Sequence, residues 1–208
     1  MIRLDVDVSQ FDDNDEKALL TCLEKISHVG NPVIAELGCW AGHSTSIICS
    51  FLKKQGGGLV YSIDSFKGCE TTKLDELART NDIKSIFLNN IKELGFEQYS
   101  RLCESSTIDA APLFSDKSFD LIFIDADHRY AGIRSDIDLW LPKLKEGGVI
   151  CGHDFNSFEY DEKYIHEDCI DWVHHGVTKA VLESFQAVQV YGSVWSAKRE
   201  DAIIYCSK

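Results

Sequence analysis

Four stretches of this sequence carry polar or reactive side chains to the end of an apolar run. In Phe119–Tyr130, FDLIFIDADHRY, the residues Leu121 to Ile124 lead directly into Asp125, Asp127 and His128. In Gly147–Phe155, GGVICGHDF, the run Val149 to Cys151 leads into Gly152, His153 and Asp154. In Glu36–Ser44, ELGCWAGHS, a strand-like segment ends in Gly38 and Gly42, and Leu59 to Ile63 is closed by Asp64. Two readings fit Asp125, Asp127 and His128: an acidic, solvated turn, or a ligand site at the carboxyl end of a parallel strand, where open α/β sheets bind their ligands. Glycines at a strand-to-helix turn let the backbone approach a ligand closely. A carboxylate at the end of the next strand can accept hydrogen bonds from both hydroxyls of a ribose. A GxGxxG dinucleotide fingerprint counted from Gly38 would need glycine where Trp40 and His43 stand, which disfavours a nicotinamide-type cofactor.

Strands and helices must alternate to place these residues together. Helical spacing runs over Asn14–Val29, and Asn31-Pro32 breaks it before a first strand at Val33–Leu37. A helix over Ser44–Lys53 stops at Gly56-Gly57-Gly58, and a second strand follows at Leu59–Ile63. The polar segment Ser65–Thr80 has no assignable pattern. A helix at Ile83–Leu94, a strand near Arg101–Glu104, the strand ending at Asp125 and a helix at Tyr130–Leu141 come next. A turn through Leu144–Gly148 enters a short fifth strand at Val149–Cys151. Phe155–Gly176 is an acidic substrate-side loop, Val177–Phe185 a helix, and Ala187–Tyr191 and Ala202–Cys206 are closing strands. Strands separated by helix-length segments predict βαβ units: one α/β domain over 1–208, Rossmann-like and doubly wound, with a mainly parallel sheet of about seven strands and helices on both faces. Residues 1–30 form its N-terminal helical segment.

The totals exclude several classes. With 208 residues, 44% apolar and 26% charged, the chain has the composition of a globular domain rather than a disordered one. A formal charge of −13 disfavours nucleic acid, whose phosphates need clustered Lys and Arg. No apolar run is long enough for a membrane span, and the acidic start is unlike a signal peptide, so a cytoplasmic location is expected. Eight cysteines contain no CxxC pair, which fits reduced thiols better than a zinc ribbon.

ELGCWAGHS together with IDS at Ile63–Ser65 resembles the first two motifs of class I S-adenosylmethionine-dependent methyltransferases, and particularly the catechol and caffeoyl-coenzyme A O-methyltransferases. FIDADHRY, Trp140-Leu141-Pro142, GGVICGHDF and GVTKAV with GSVW further resemble a bacterial branch of small methyltransferases, itself similar to cephalosporin hydroxylase-type proteins. The resemblance implies that Glu36, Gly38, Trp40, Gly42 and Ser44 surround the cofactor. It implies that Asp64 holds the ribose, that Glu104, Ser105 and Ser106 lie beside the adenine, and that Asp125 borders the same pocket. Without a ligand, Asp64 would be a satisfied strand end and Ser106 a helix N-cap. In the metal-dependent members an acid ending the fourth strand and an acid–amide pair ending the fifth hold a divalent cation, which implies Asp125, His153 and Asp154 here. The imidazole suits manganese, iron or zinc better than magnesium. His128 stands where those enzymes place a catalytic lysine, and would remove the acceptor's hydroxyl proton beside Asp125.

The expected activity is methyl transfer from S-adenosylmethionine to a small hydroxylated acceptor, assisted by a divalent metal such as magnesium, manganese or iron. Two rivals are non-haem-iron oxygen chemistry on the same fold and a non-catalytic cofactor-binding module. No nucleic-acid or membrane partner is expected, and a homodimer is an option. Asp127 is expected to cap a helix or support its neighbours. His166, His174 and His175 cluster in the acidic loop with Asp168 and Asp171, a group able to bind metal or line a substrate lid. Surface histidines are the commoner case in a polar loop, so they are placed outside the core site, and Trp172 and Trp195 are weak candidates for an acceptor pocket.

Overall fold

The structure, a computed structural model, describes residues 11–69 and 73–203. Seven strands form one sheet in the order β3-β2-β1-β4-β5-β7-β6. They are β1 (Val33–Leu37), β2 (Leu59–Asp64), β3 (Ser100–Glu104), β4 (Phe119–Ile124), β5 (Leu144–Gly152), β6 (Gln189–Tyr191) and β7 (Val194–Lys198). The first five pair in parallel, whereas β7 is antiparallel to both β5 and β6. The described helices are α1 (Asp13–Glu24), α2 (His43–Gln55), α3 (Lys73–Thr80), α4 (Ile83–Glu93), the single turn α5 (Thr107–Ala110), α6 (Tyr130–Trp140) and α7 (His175–Ser184).

Both faces of the sheet are covered, which is why its central strands read as unbroken apolar runs rather than as alternations. Ile34, Val60, Leu121, Phe123, Val149 and Cys151 face a cluster with residues of α1, α2 and α4. Their neighbours Ala35, Ile63, Ile122, Ile124 and Ile150 face the opposite cluster with α6 and α7. All six residues of β4 are buried.

The pairing register lines up the strand ends. Leu37 pairs with Ile63 and with Ile124, and Ile124 pairs with Gly152. Gly38, Asp64, Asp125 and His153 therefore all fall at one edge of the sheet, each at or one residue past that line.

Three expectations need correction. The last strand is Val194–Lys198 rather than Ala202–Cys206: Gly192 (φ +60°) turns β6 back as a tight hairpin, Ala202 makes only an isolated bridge to Phe185, and residues 204–206 lie outside the described ones. β5 begins at Leu144, because Phe119 already pairs with Leu144 before an irregularity absorbs the glycine pair. The unassigned polar segment contains α3. Among the described residues no helix is long and apolar enough to cross a membrane.

Candidate active site

A cavity of about 820 Å³ opens at the carboxyl ends of β1, β2 and β4, lined among others by Gly38, Trp40, Asp64, Ser106, Asp125 and His128. Its floor is the turn between β1 and α2. Gly38 has φ +83°, and a Cβ there would lie 2.0 Å from the carbonyl oxygen of Asp125. Only glycine lets the two strand ends approach so closely. Asp64 braces this turn: Oδ2 accepts from the amides of Cys39 and Trp40 at 2.9 and 2.8 Å, and Oδ1 accepts from Phe66 at 2.7 Å.

The residues expected around a cofactor divide into two groups. Gly38, Trp40, Ser44, Asp64, Ser105, Ser106 and Asp125 line the cavity. Glu36, Gly42 and Glu104 are absent from the lining. Glu36 is fully buried, and its carboxylate accepts hydrogen bonds from Ser44, Thr45 and Ser62 at 2.6, 2.6 and 2.8 Å. Burial pushes its pKa up to about 7 against the pull of those three hydroxyls. Glu36 thus ties β1, β2 and α2 together beneath the cavity instead of reaching into it. Gly42 (φ +90°) starts α2 under the Phe87 ring, and Glu104 pairs with Lys84 at the surface. Ser106 is also the N-cap of α5, accepting from the amide of Asp109 at 3.1 Å.

Beyond Asp125 the cavity adjoins a buried cluster of charges. Nε2 of His128 lies 3.0 Å from Asp154 Oδ2 and 3.6 Å from Asp125 Oδ1, while Nδ1 lies 2.9 Å from Asp168 Oδ1. Nδ1 of His153 lies 3.3 Å from Asp154 and 3.7 Å from Asp125. Its Nε2 meets Ser193 Oγ at 3.0 Å and Asp15 at 3.4 Å, and the Ser193 hydroxyl also donates to Asp15. Burial alone would lower both imidazole pKa values. Asp154, Asp125 and Asp168 together outweigh burial at His128 and raise it well above the usual histidine value; Asp125, with Asp15 and Asp154, pushes His153 up to about 12. Burial disfavours the charged forms of Asp125 and Asp154 as well, but the imidazoles hold both below the usual carboxylate range. Around these two imidazoles stand four carboxylates, Asp15, Asp125, Asp154 and Asp168, so negative charge is in excess.

The sequence missed several of these residues. His174, expected at the surface, has a side chain only 13% exposed, with Nε2 3.2 Å from Asp154 Oδ1. Asp168 reaches His128 from the same loop, and Asp15 reaches His153 from α1. The loop offers no periodic pattern from which this folding back could be read; the local density of His and Asp was the one available signal. His166 is exposed, and His175 Nδ1 accepts from the amide of Asp161. Asp127 accepts from the amide and guanidinium of Arg129, in keeping with a supporting role. Trp195 is buried in the core against Phe185 and Trp172 is 89% exposed; neither lines the cavity.

A family described as methyltransferase domain matches residues 35–155, more than half of the chain. In fold the chain is similar to the O-methyltransferase from Bacillus cereus solved in complex with SAH, at 19% identity and TM-score 0.63, covering 93% of this chain and 84% of that one. It is similar to cofactor-bound Rv0187 from MTB, at 16% identity and TM-score 0.63, covering 95% and 85%. It is also similar to the O-methyltransferase NovP, at 16% identity and TM-score 0.63, covering 89% and 79%. Among curated proteins, an uncharacterized protein of Sinorhizobium fredii, y4gI, is 32% identical over 65 residues; the match spans 31% of this chain and 7% of that protein.

Proposed function

The chain belongs to the methyltransferase domain family, an S-adenosylmethionine-dependent class, and on that premise we propose that it methylates a hydroxyl of a small acceptor. The observation that carries this reading is the continuity of the cavity: one end is built by the Gly38 turn, Asp64 and Ser106, and the other by Asp125 and His128. S-adenosylmethionine fits the first end, with its ribose at the free edge of the Asp64 carboxylate, its adenine against Ser105 and Ser106, and its sulfonium toward Asp125. When bound it supplies an electrophilic methyl group, and the residues around it have mainly to orient two reactants and exclude water.

On the acceptor side, Asp125 lines the cavity at the end of the buried strand β4, where it would orient the hydroxyl. His128 is given a holding role here rather than the role of base expected from the sequence. Both of its ring nitrogens already face carboxylates, Asp168 at 2.9 Å and Asp154 at 3.0 Å. The residues also fit a divalent cation: ligand atoms of Asp125, His153 and Asp154 lie within 4.8 Å of one another, in a pocket with excess negative charge. Such an ion, when bound, would lower the pKa of the acceptor hydroxyl. A cytoplasmic setting belongs to the same proposal.

Titration calorimetry with S-adenosylhomocysteine tests the reading. The folded wild-type chain is expected to bind, and Asp64→Ala to weaken binding by at least about 10-fold, since it removes the acceptor for three backbone amides as well as for the ribose. A folded wild-type protein that does not bind would overturn the proposal.

A further inference from the structure

The loop between β5 and α7 does not lie free on the surface. Its Phe155 amide donates to Ser193 O at 2.8 Å, Ile165 is buried and accepts from the Tyr130 amide at 2.9 Å, and Asp168 and His174 reach the charge cluster. This return places His174 against His128, with ring centroids 4.7 Å apart and planes at 79°. Asp154 stands between them, Oδ2 toward His128 at 3.0 Å and Oδ1 toward His174 at 3.2 Å.

These short distances are not all hydrogen bonds. Nε2 of His128, a residue 7% exposed, has no hydrogen-bond partner despite its position beside Asp154. A buried polar nitrogen left in that condition carries its desolvation penalty unrelieved unless another partner fills the gap. The arrangement suits a metal ion. Ligand atoms bound at about 2 Å to a tetrahedral ion stand roughly 3.3 Å from one another, and each imidazole lies at 3.0 or 3.2 Å from an oxygen of Asp154. One ligand atom each from His128, Asp154 and His174 lies within 4.8 Å of the other two. Asp168 completes the pattern by engaging Nδ1 of His128, the contact by which a carboxylate behind a ligating histidine fixes its tautomer and turns Nε2 to the ion.

We propose that His128, Asp154 and His174 bind a first-row transition-metal ion through two imidazole nitrogens and one carboxylate, and that the ion fastens the loop carrying His174 over the ends of β4 and β5. Asp154 is common to this set and to Asp125 and His153, so an ion drawn to Asp154 meets additional imidazoles rather than an all-oxygen cage. Nitrogen ligands select zinc, manganese, iron or cobalt over magnesium. The inference deepens the metal part of the proposed function and does not need methyl transfer to be correct, because it rests on the ligand atoms alone.

The test begins with full-length protein stripped of metal by chelation, then titrated calorimetrically with zinc and separately with magnesium, with cobalt(II) absorption reporting the coordination. One zinc per chain is expected, at least about 100-fold tighter than magnesium, with cobalt bands of a nitrogen-containing site. His174→Ala is expected to weaken zinc by at least about 10-fold, and Asp168→Asn by about 10-fold through the orientation of His128. Hydrogen exchange across residues 155–174 is expected to slow when zinc is added to the wild type and not when it is added to His174→Ala. S-adenosylhomocysteine binding, measured on the same samples, separates the outcomes, since His174 does not line the cofactor cavity. Retained S-adenosylhomocysteine binding with zinc affinity unchanged in a folded His174→Ala protein overturns this inference and leaves the methyltransferase reading standing. Magnesium bound as tightly as zinc overturns it too. Loss of S-adenosylhomocysteine binding in the wild type with zinc binding intact would instead overturn the methyl-transfer reading.

Discussion

Replacing Gly38 with alanine should damage the protein in proportion to two costs that the structure separates. The first is backbone conformation: at φ +83° an L-residue pays about 1–2 kcal/mol. The second is collision. The added Cβ would stand 2.0 Å from the Asp125 carbonyl oxygen and 2.7 Å from its carbon. Neither partner can retreat cheaply, because the Gly38 amide is bonded to Ile63 O at 2.8 Å and the Asp125 amide to Leu37 O at 2.7 Å. Overpacking of this kind costs about 1–3 kcal/mol, so the total is about 2–5 kcal/mol. For a chain of this length each kcal/mol lowers Tm by about 2–4 °C, which gives a fall of roughly 4–20 °C by differential scanning calorimetry. Two other glycines calibrate the argument. At Gly42, with φ +90°, the new Cβ meets only the Phe87 ring at 3.0 Å, so Gly42→Ala should cost chiefly the backbone term. At Gly30 nothing lies within 4 Å, and Gly30→Ala should stay within about 0.5 kcal/mol of wild type. The order Gly38 > Gly42 > Gly30 is the prediction. Gly38→Ala should also weaken S-adenosylhomocysteine binding by at least about 10-fold, because the displaced strand end carries Asp125. A Gly38→Ala protein that melts with Gly30→Ala would refute the reasoning.

Other perturbations test other parts of the structure. Because the Glu36 pKa is raised from 4.5 to about 7, the folded chain holds a proton that the unfolded chain has lost over that interval, so wild-type stability should fall relative to Glu36→Gln by roughly 3 kcal/mol as pH rises from 4.5 to 7. Parallel urea-denaturation curves for the two proteins across that range would refute it. Asp120 accepts from the Val33 amide at 2.8 Å and from Lys145 at 2.9 Å, so Asp120→Ala, which strands a backbone amide, should cost about 1–3 kcal/mol in the same assay. Brief alkylation of the native protein followed by mass mapping should modify the exposed Cys169 and spare the buried Cys49 and Cys151, whose thiol pKa values burial drives upward.

The sheet was legible where the chain writes its position locally. Leu121–Ile124 is an unbroken apolar run because both faces are covered, Val33–Leu37 is one interrupted only by the buried Glu36, and Asp125 and Gly38, which follow them, mark the functional end of the sheet. Legibility failed where a residue's meaning depends on a distant partner. Lys73–Thr80 is an eight-residue helix whose Leu77 and Ala78 pack against the core, too few turns for a period to stand out in a mostly polar segment. Val194–Lys198 was hidden because its hairpin with β6 leaves two residues for the turn and no helix-length spacer. Glu36 looked like a ligand-facing acid until the hydroxyls of Ser44, Thr45 and Ser62 appeared around it. His174 and Asp168 join the cluster through a loop whose path follows no repeat, so spacing in the sequence says nothing of their distance from His128.

The Ser193 hydroxyl between Asp15 and His153 sets a condition on how the molecule is made. Its partner Asp15 precedes it by 178 positions, almost the full length of the chain. On the ribosome, α1 and all the strands through β5 emerge before the hairpin that carries this serine. A nascent chain therefore carries His153 and Asp15 before the group that bridges them, and the cluster closes only once that hairpin has emerged. Contacts between the two ends of a chain are slow to form because so much loop entropy must be lost first. Folding would then pass through a sheet assembled ahead of its metal-binding end, so a translational pause or a truncation just short of Ser193 should yield a chain with much of its core and an unfinished site.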